Sequence, residues 1–353
     1  MSERTPAFVL GGTGYVAGEL LRLIAGHPGL EVAAILSDSQ PGAKVAGAFA
    51  HLQSAYPELK FSSLEEIETL VRRAPRAALF SAAPHGVAAA IIDRLLSASA
   101  AAGTLIHCVD ISADFRYSTA AAYETVYKHA HGAPARIREF TCAVPEHLQK
   151  SPTPHVAHPG CFATATLLAI VPLLALGLTD TRLFVTGITG STGSGRKPVE
   201  GTHHPLRHSD FYAYGALSHR HVPEIIACAK LATGLETELN FVPHSGPFAR
   251  GIHVTVQASL KKSLTTVQAI AALAAYYKDC PFVRVGDAPP RVKDVATSNY
   301  SNLSAVTNGN SIAVMSVVDN LNKGAAGGAI QWMNRLLGFN ETAGLTAAAP
   351  GWT

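Results

Sequence analysis

Ala7-Phe8-Val9-Leu10-Gly11-Gly12-Thr13-Gly14-Tyr15-Val16-Ala17-Gly18 decides the fold of this chain. Four apolar residues suited to a strand run into a glycine-rich turn. From Tyr15 to Ala25 the apolar side chains then recur at helical spacing. Glycine at 11 permits a tight turn, and glycine at 14 lets the backbone approach a pyrophosphate. The small Ala17 lets helix and strand pack closely, so phosphates can rest on the first amides of the helix. Gly11, Thr13, Gly14, Tyr15 and Val16 are therefore candidate dinucleotide contacts, set against the plainer reading of a ligand-free strand–helix turn.

Outward from this unit the alternation continues. Glu31–Leu36, Ala77–Ser81 and Leu105–Asp110 read as further strands, with a helix over Val87–Ser99. Strands alternating with helices predict a doubly wound parallel sheet of the Rossmann type. The second half differs. Leu183–Ile188, Ile252–Gln257 and Ile312–Val318 have longer, partly alternating strand character, which suits a mixed sheet in an α+β catalytic domain. The apolar run Thr164–Leu178 is too short to span a bilayer and reads as a buried helix. The segment from Lys323 on, ending in a helix over Gly328–Leu337, is expected to return to the first domain. The predicted division is residues 1–158 with 321–353 for the dinucleotide, and 159–320 for catalysis, substrate and oligomer contacts.

Composition limits the possible functions. The chain has 353 residues, 48% hydrophobic and 15% charged, with a formal net charge of +3 and no block of Lys or Arg. That argues against nucleic acid as a partner. The five cysteines, at 108, 142, 161, 228 and 280, are scattered and form no C-x-x-C pair. A disulfide framework is not indicated, and a reducing cytoplasm fits. The N-terminus has no signal-type apolar region and no membrane span is read, so the chain is expected to be soluble. A homodimer or homotetramer is the expected assembly.

His158-Pro159-Gly160-Cys161-Phe162-Ala163-Thr164 carries the most chemistry. Pro and Gly force a turn just before Cys161, and a helix-like run begins after it. The positive end of that helix favours a thiolate, the nucleophile of acyl transfer. The plainer alternative is a small buried hydrophobe. Ser218-His219-Arg220-His221-Val222-Pro223-Glu224 supplies imidazoles that can shuttle a proton. His203, His204 and His208 lie nearby, but without metal-ligand spacing, so no metal is expected. Ile188–Lys197, containing Ser191 and Gly193, is a loop able to hold a phosphate or oxyanion, or simply a flexible surface loop.

Together these pieces resemble the N-acetyl-γ-glutamyl-phosphate reductases, arginine-pathway relatives of aspartate-semialdehyde dehydrogenase. The resemblance rests on GGTGYVAGELLRL at 11–23, PHG at 84–86, SADFR at 112–116 and VPE at 144–146. It continues with HPGCFATAT at 158–166, HRHVPEI at 219–225, FVPHSGPFARGI at 241–252 and VVDNLNKGAAGGAIQ at 317–331. It implies Cys161 as nucleophile and His219 as acid/base, with His221 the runner-up. Arg116 and Arg250, with Ser191, are implied as ligands of an anionic substrate, and Pro84, Gly193 and Asn320 as further cofactor contacts. The implied reaction is reduction of an acyl phosphate through a thioester, with inorganic phosphate as co-product. His158 replaces an Asn frequent in the family, and Leu36-Ser37-Asp38-Ser39 lacks an Arg frequent there. The resemblance points to NADP(H), bound near Ser37 and Asp38. An acidic residue after the second strand points instead to NAD(H). Thr202-His203-His204-Pro205 is similar to the lysine-pathway sister enzyme, whose substrate is carrier-bound. A non-catalytic dinucleotide sensor is the alternative of another class.

Overall fold

The computed structural model describes residues 4–351, and the chain ends at 1–3 and 352–353 lie outside it. The chain forms two units. Among the described residues the first holds 4–142, with Lys150–His158 and Ala326–Thr346. The second holds Ala143–Gln149, Pro159–Ala325 and 347–351. Against the expected boundaries, 143–149, 321–325 and 347–351 sit with the second unit.

The first unit is built on β1 (Thr5–Leu10), β2 (Leu30–Ile35), β3 (Arg76–Ser81), β4 (Leu105–Asp110), β5 (Phe140–Cys142) and β6 (His155–Ala157). They form a sheet in the order β2-β1-β3-β4-β6-β5, with every pairing parallel. β5 and β6 are three residues long, too short to announce themselves as apolar runs. The sequence order reverses between β1 and β3, so the loops leaving these two strands flank a crevice at their carboxyl ends. The core gathers Phe8, Leu10, Leu79, Ile92, Leu95 and Phe115. The helix Gly327–Leu337 covers β4 and also meets the helix Tyr15–Ala25.

The second unit contains β7 (Arg182–Thr189), β8 (Tyr212–Ala213), β9 (Glu238–Ser245), β10 (Ile252–Ser259), β11 (Val283–Val285), β12 (Ser301–Asn308) and β13 (Ser311–Val318). The order is β11-β12-β13-β10-β7-β9-β8, with β11–β12 and β7–β9 parallel and the remaining pairs antiparallel. It is the mixed sheet expected from the sequence.

The helix Cys161–Ala175 packs on one face of this sheet, and every side chain from Phe162 to Leu174 is buried. A helix apolar on all sides belongs inside. Pro172 lies within it and has no N–H for the carbonyl of Leu168 one turn back. The hydroxyl of Tyr277 donates to that carbonyl at 2.7 Å, and His147 Nε2 lies 2.9 Å from the same hydroxyl. Among the described residues no helix is long and apolar enough to cross a membrane.

Candidate active site

The glycine loop is shaped as its sequence implies. Gly11 has φ +80°, and a Cβ there would meet the Ala82 carbonyl oxygen at 2.4 Å. Gly14 caps the helix Tyr15–Ala25, which has no side-chain cap. A Cβ at Gly14 would meet only Gly11 O, at 3.7 Å, so no packing within the protein demands glycine there. That open cradle beside uncapped helix amides fits a pyrophosphate. The close-packing glycine is Gly18, whose Cβ would strike Phe49 at 2.8 Å, while Ala17 beside it is fully buried.

Beside this loop, Pro84-His85-Gly86 leaves β3. Gly86 has φ +84°. The buried carboxylate of Asp114 accepts the N–H groups of Gly86 (2.8 Å) and Ala89 (2.9 Å), which fixes the turn and the start of the next helix. Asp114 went unassigned in the sequence reading, although it stands in the SADFR stretch. At the end of β2, Ser37 is buried with its hydroxyl 3.3 Å from that of Ser39, while Asp38 is exposed. Lys44 is ion-paired with Glu58 at 3.0 Å.

In the second unit Cys161 is the first residue of its helix, and Gly160 is the N-cap. The buried carboxylate of Glu224 accepts the Gly160 N–H at 2.8 Å. A Cβ on Gly160 would fall 2.5 Å from the His221 ring and 2.8 Å from Glu224 Oε1, so only glycine fits in front of the cysteine. Glu224 is a positioning group that sequence reasoning passed over inside a motif valued for its histidines. Phe162 turns inward against Phe241 and His219, into the space left by Gly187.

Cys161 and His219 line one cavity of about 530 Å3, together with Tyr214, Arg220, His221 and Gly193. His219 Nδ1 accepts the backbone N–H of His221 at 3.2 Å. Burial first, and then the neighbouring Arg220, pull the His219 pKa down to about 4. Burial and then Cys161 push the Tyr214 hydroxyl pKa up.

The remaining sequence candidates are held by the protein itself. Arg116 is buried and donates to the carbonyls of His158 (3.0 Å) and Ile111 (2.8 Å). Arg250 grips Asp319 through Nε and Nη2 at 3.0 and 2.9 Å. Asn320 accepts the Gly251 N–H at 2.7 Å and donates to Thr192 at 3.0 Å. Ser191 does not line the cysteine cavity but a second one.

Asp319 also accepts the N–H groups of Thr297, Leu321 and Asn322, and it thereby folds the turn that leads to Lys323 and Gly324. Lys323 is fully buried on Glu146 at 2.5 Å, which explains why 143–149 and 321–325 belong to this unit. Gly324 rests on the cysteine: a Cβ there would meet Cys161 Cβ at 2.8 Å. Among the described residues no group of three or more His, Cys, Asp or Glu is placed to hold a metal ion.

Two family models match the chain: semialdehyde dehydrogenase, NAD binding domain, over residues 7–149, and semialdehyde dehydrogenase, dimerisation domain, over residues 161–320. The chain is 38% identical over 348 residues to the N-acetyl-gamma-glutamyl-phosphate reductase of Ectopseudomonas mendocina, covering 97% of this chain and 98% of that one. It is 39% identical over 347 residues to that of Pseudomonas savastanoi pv. phaseolicola, covering 96% and 97%. In fold it is similar to aspartate semialdehyde dehydrogenase II of Vibrio cholerae (TM-score 0.68, 14% identity, 95% and 99% of the two chains). It is likewise similar to the aspartate semialdehyde dehydrogenase of Candida albicans solved with NADP (TM-score 0.66, 16% identity, 95% and 99%).

Proposed function

We infer the reaction from one premise, that the chain belongs to the semialdehyde dehydrogenase family. It reduces N-acetyl-γ-glutamyl phosphate to N-acetyl-L-glutamate 5-semialdehyde and inorganic phosphate, a step of arginine biosynthesis. The observation that carries this reading is Cys161 at a helix start, with Gly160 clamped by Glu224 and His219 lining the same cavity.

Cys161 attacks the acyl carbon as thiolate, and phosphate departs, leaving a thioester. The Gly11–Val16 loop and the Pro84–Gly86 turn would hold a reduced nicotinamide dinucleotide, which when bound would supply the hydride that takes the thioester to the aldehyde level. His219, neutral and carrying its proton on Nε2, donates to the oxyanion that develops on the substrate carbonyl. Collapse of the resulting thiohemiacetal oxyanion breaks the C–S bond, releasing the aldehyde and returning Cys161 as thiolate. Glu224 and the Asp319 turn keep the sulfur in place throughout.

For the cofactor we propose NADP(H), with a weaker preference over NAD(H) than an arginine after β2 would give. Exposed Asp38 can turn away while Ser37, Ser39 and the Gln40–Gly42 backbone take a 2′-phosphate. Arg116 and Arg250 would reach an anionic substrate only through donors left over from their protein partners.

The test is oxidation of N-acetylglutamate 5-semialdehyde by the purified protein with phosphate and NADP+ or NAD+. Phosphate-dependent reduction of the cofactor, abolished in Cys161→Ser with the fold intact, is expected. Activity retained in Cys161→Ser would overturn the thioester route.

A further inference from the structure

We propose that the second cavity of the catalytic unit, about 590 Å3, is an oxyanion site for a carboxylate or a phosphate. The proposal rests on the reaction assigned above, whose substrate carries both groups. Polar lining comes from Arg207, His204, His208, Ser191, Thr202 and Ser209, and no Asp or Glu lines the cavity among the described residues. Its field is therefore one-sided.

Arg207 is 9% exposed. Its Nη2 donates to the carbonyl of Gly246 and, at 3.4 Å, to that of Phe248. Its Nη1 is shut off from solvent and has no hydrogen-bond partner among the described residues. A guanidinium is always charged and offers five donors in a rigid fork. Neutral carbonyls on one side leave its charge uncompensated, and an oxyanion would answer both the charge and the spare donor. His204 and His208 lie one helical turn apart, with ring centroids separated by 5.1 Å. Ser209 Oγ lies 3.2 Å from His208 Nδ1, so hydroxyl and imidazole are already arranged against each other.

Position connects the site to catalysis. The turn Ser191–Ser194 gives Ser191 to this cavity and Gly193 and Ser194 to the cysteine cavity. The chain beyond Ser209 runs directly to Tyr212, which lines the cysteine cavity. An anion on Arg207 thus sits behind the wall of the reacting site. The other two arginines considered for this task are committed to backbone carbonyls and to Asp319.

Calorimetric titration of the full chain with inorganic phosphate and, separately, with N-acetylglutamate tests the site without requiring turnover. One of the two anions is expected to bind, with affinity falling about tenfold or more in Arg207→Gln and in His204→Gln/His208→Gln, as loss of charge-assisted donors implies. The histidines are exposed, so the double variant keeps the fold even if Arg207→Gln does not. In turnover, a raised KM for phosphate with kcat nearly unchanged identifies phosphate as the ligand, and a raised KM for the semialdehyde identifies the substrate carboxylate. No binding by the wild type, or affinities unchanged in the double variant, overturns the site. Binding that depends on these residues without any turnover leaves the site standing and removes the reaction. Turnover unaffected in every folded variant does the reverse.

Discussion

The imidazole of His219 accepts a backbone N–H at Nδ1, so the neutral ring carries its hydrogen on Nε2 and faces the chemistry as a donor. With its pKa held near 4 by burial and then Arg220, it stays neutral where a free imidazole is half protonated. The acid limb of the kcat/KM profile is therefore expected well below pH 6, and Arg220→Gln should move it upward. An acid limb at pH 6.5 in the wild type that is lost in His219→Gln contradicts this. His219→Ala should lower kcat by about 100-fold, the ordinary cost of removing one oxyanion-stabilising donor. His219→Gln, which keeps an N–H donor, should retain more. At Asp38 the question is charge. Asp38→Arg should tighten NADP(H) by replacing a repulsive carboxylate with a fork for the 2′-phosphate. A wild type preferring NAD(H), with that preference lost in Asp38→Asn, would show that the single acidic residue outweighs the family pattern.

Among the elements, the turn at 319–324 matters most and was least legible. Asn322–Ala326 is a wide π-type turn, held by Asp319 behind it and the buried Lys323–Glu146 pair beside it. Alanine at 324 would drive a methyl into Cys161, and displacing a nucleophile by about 1 Å costs on the order of 100-fold in rate. Gly324→Ala should therefore lose about that much kcat, with slower iodoacetamide labelling of Cys161 and unchanged affinity for the cofactor. Unchanged labelling would mean that the turn does not set the sulfur. Sequence alone revealed the glycine loop, the β1–β4 alternation and the cysteine at a helix start, because each is written in neighbouring residues. It could not reveal that Glu224 holds Gly160, 64 positions away, or that Glu146 pairs with Lys323, 177 positions away. The same holds for Arg250, whose bond to Asp319 spans 69 positions. A carboxylate in a motif does not state its partner, and pairings at such separations exist only once the sheets are assembled.

Across the whole molecule, stability should depend on pH through buried groups whose signs oppose. Burial holds His155 and His147 at about 4, with His155 Nδ1 accepting the Cys108 N–H at 3.2 Å. His219 adds a third such group. In the unfolded chain these imidazoles titrate near 6.5, so between that pH and 4 the unfolded state binds protons that the native state refuses. Their contribution is complete above pH 6.5 and is lost as the pH falls through this window. Asp110 acts the other way. Burial first, and then Asp114, raises it from 3.8 to about 6, so from pH 6 down to 3.8 the native state takes up a proton that the unfolded chain does not. Three imidazoles against one carboxyl leave a net loss of about 1.4 kcal/mol per pH unit for each uncompensated proton. The urea midpoint should therefore fall between pH 7.5 and 5. His155→Gln should flatten the fall. Asp110→Asn should raise the midpoint at pH 7.5, where the wild type buries a charged carboxylate, and should steepen the fall below pH 6 by removing the opposing group. A flatter curve in Asp110→Asn would mean that the carboxyl is ionised in the native state at acidic pH, and that its hydrogen bonds with Ser112, at 3.1 and 2.8 Å, outweigh its burial.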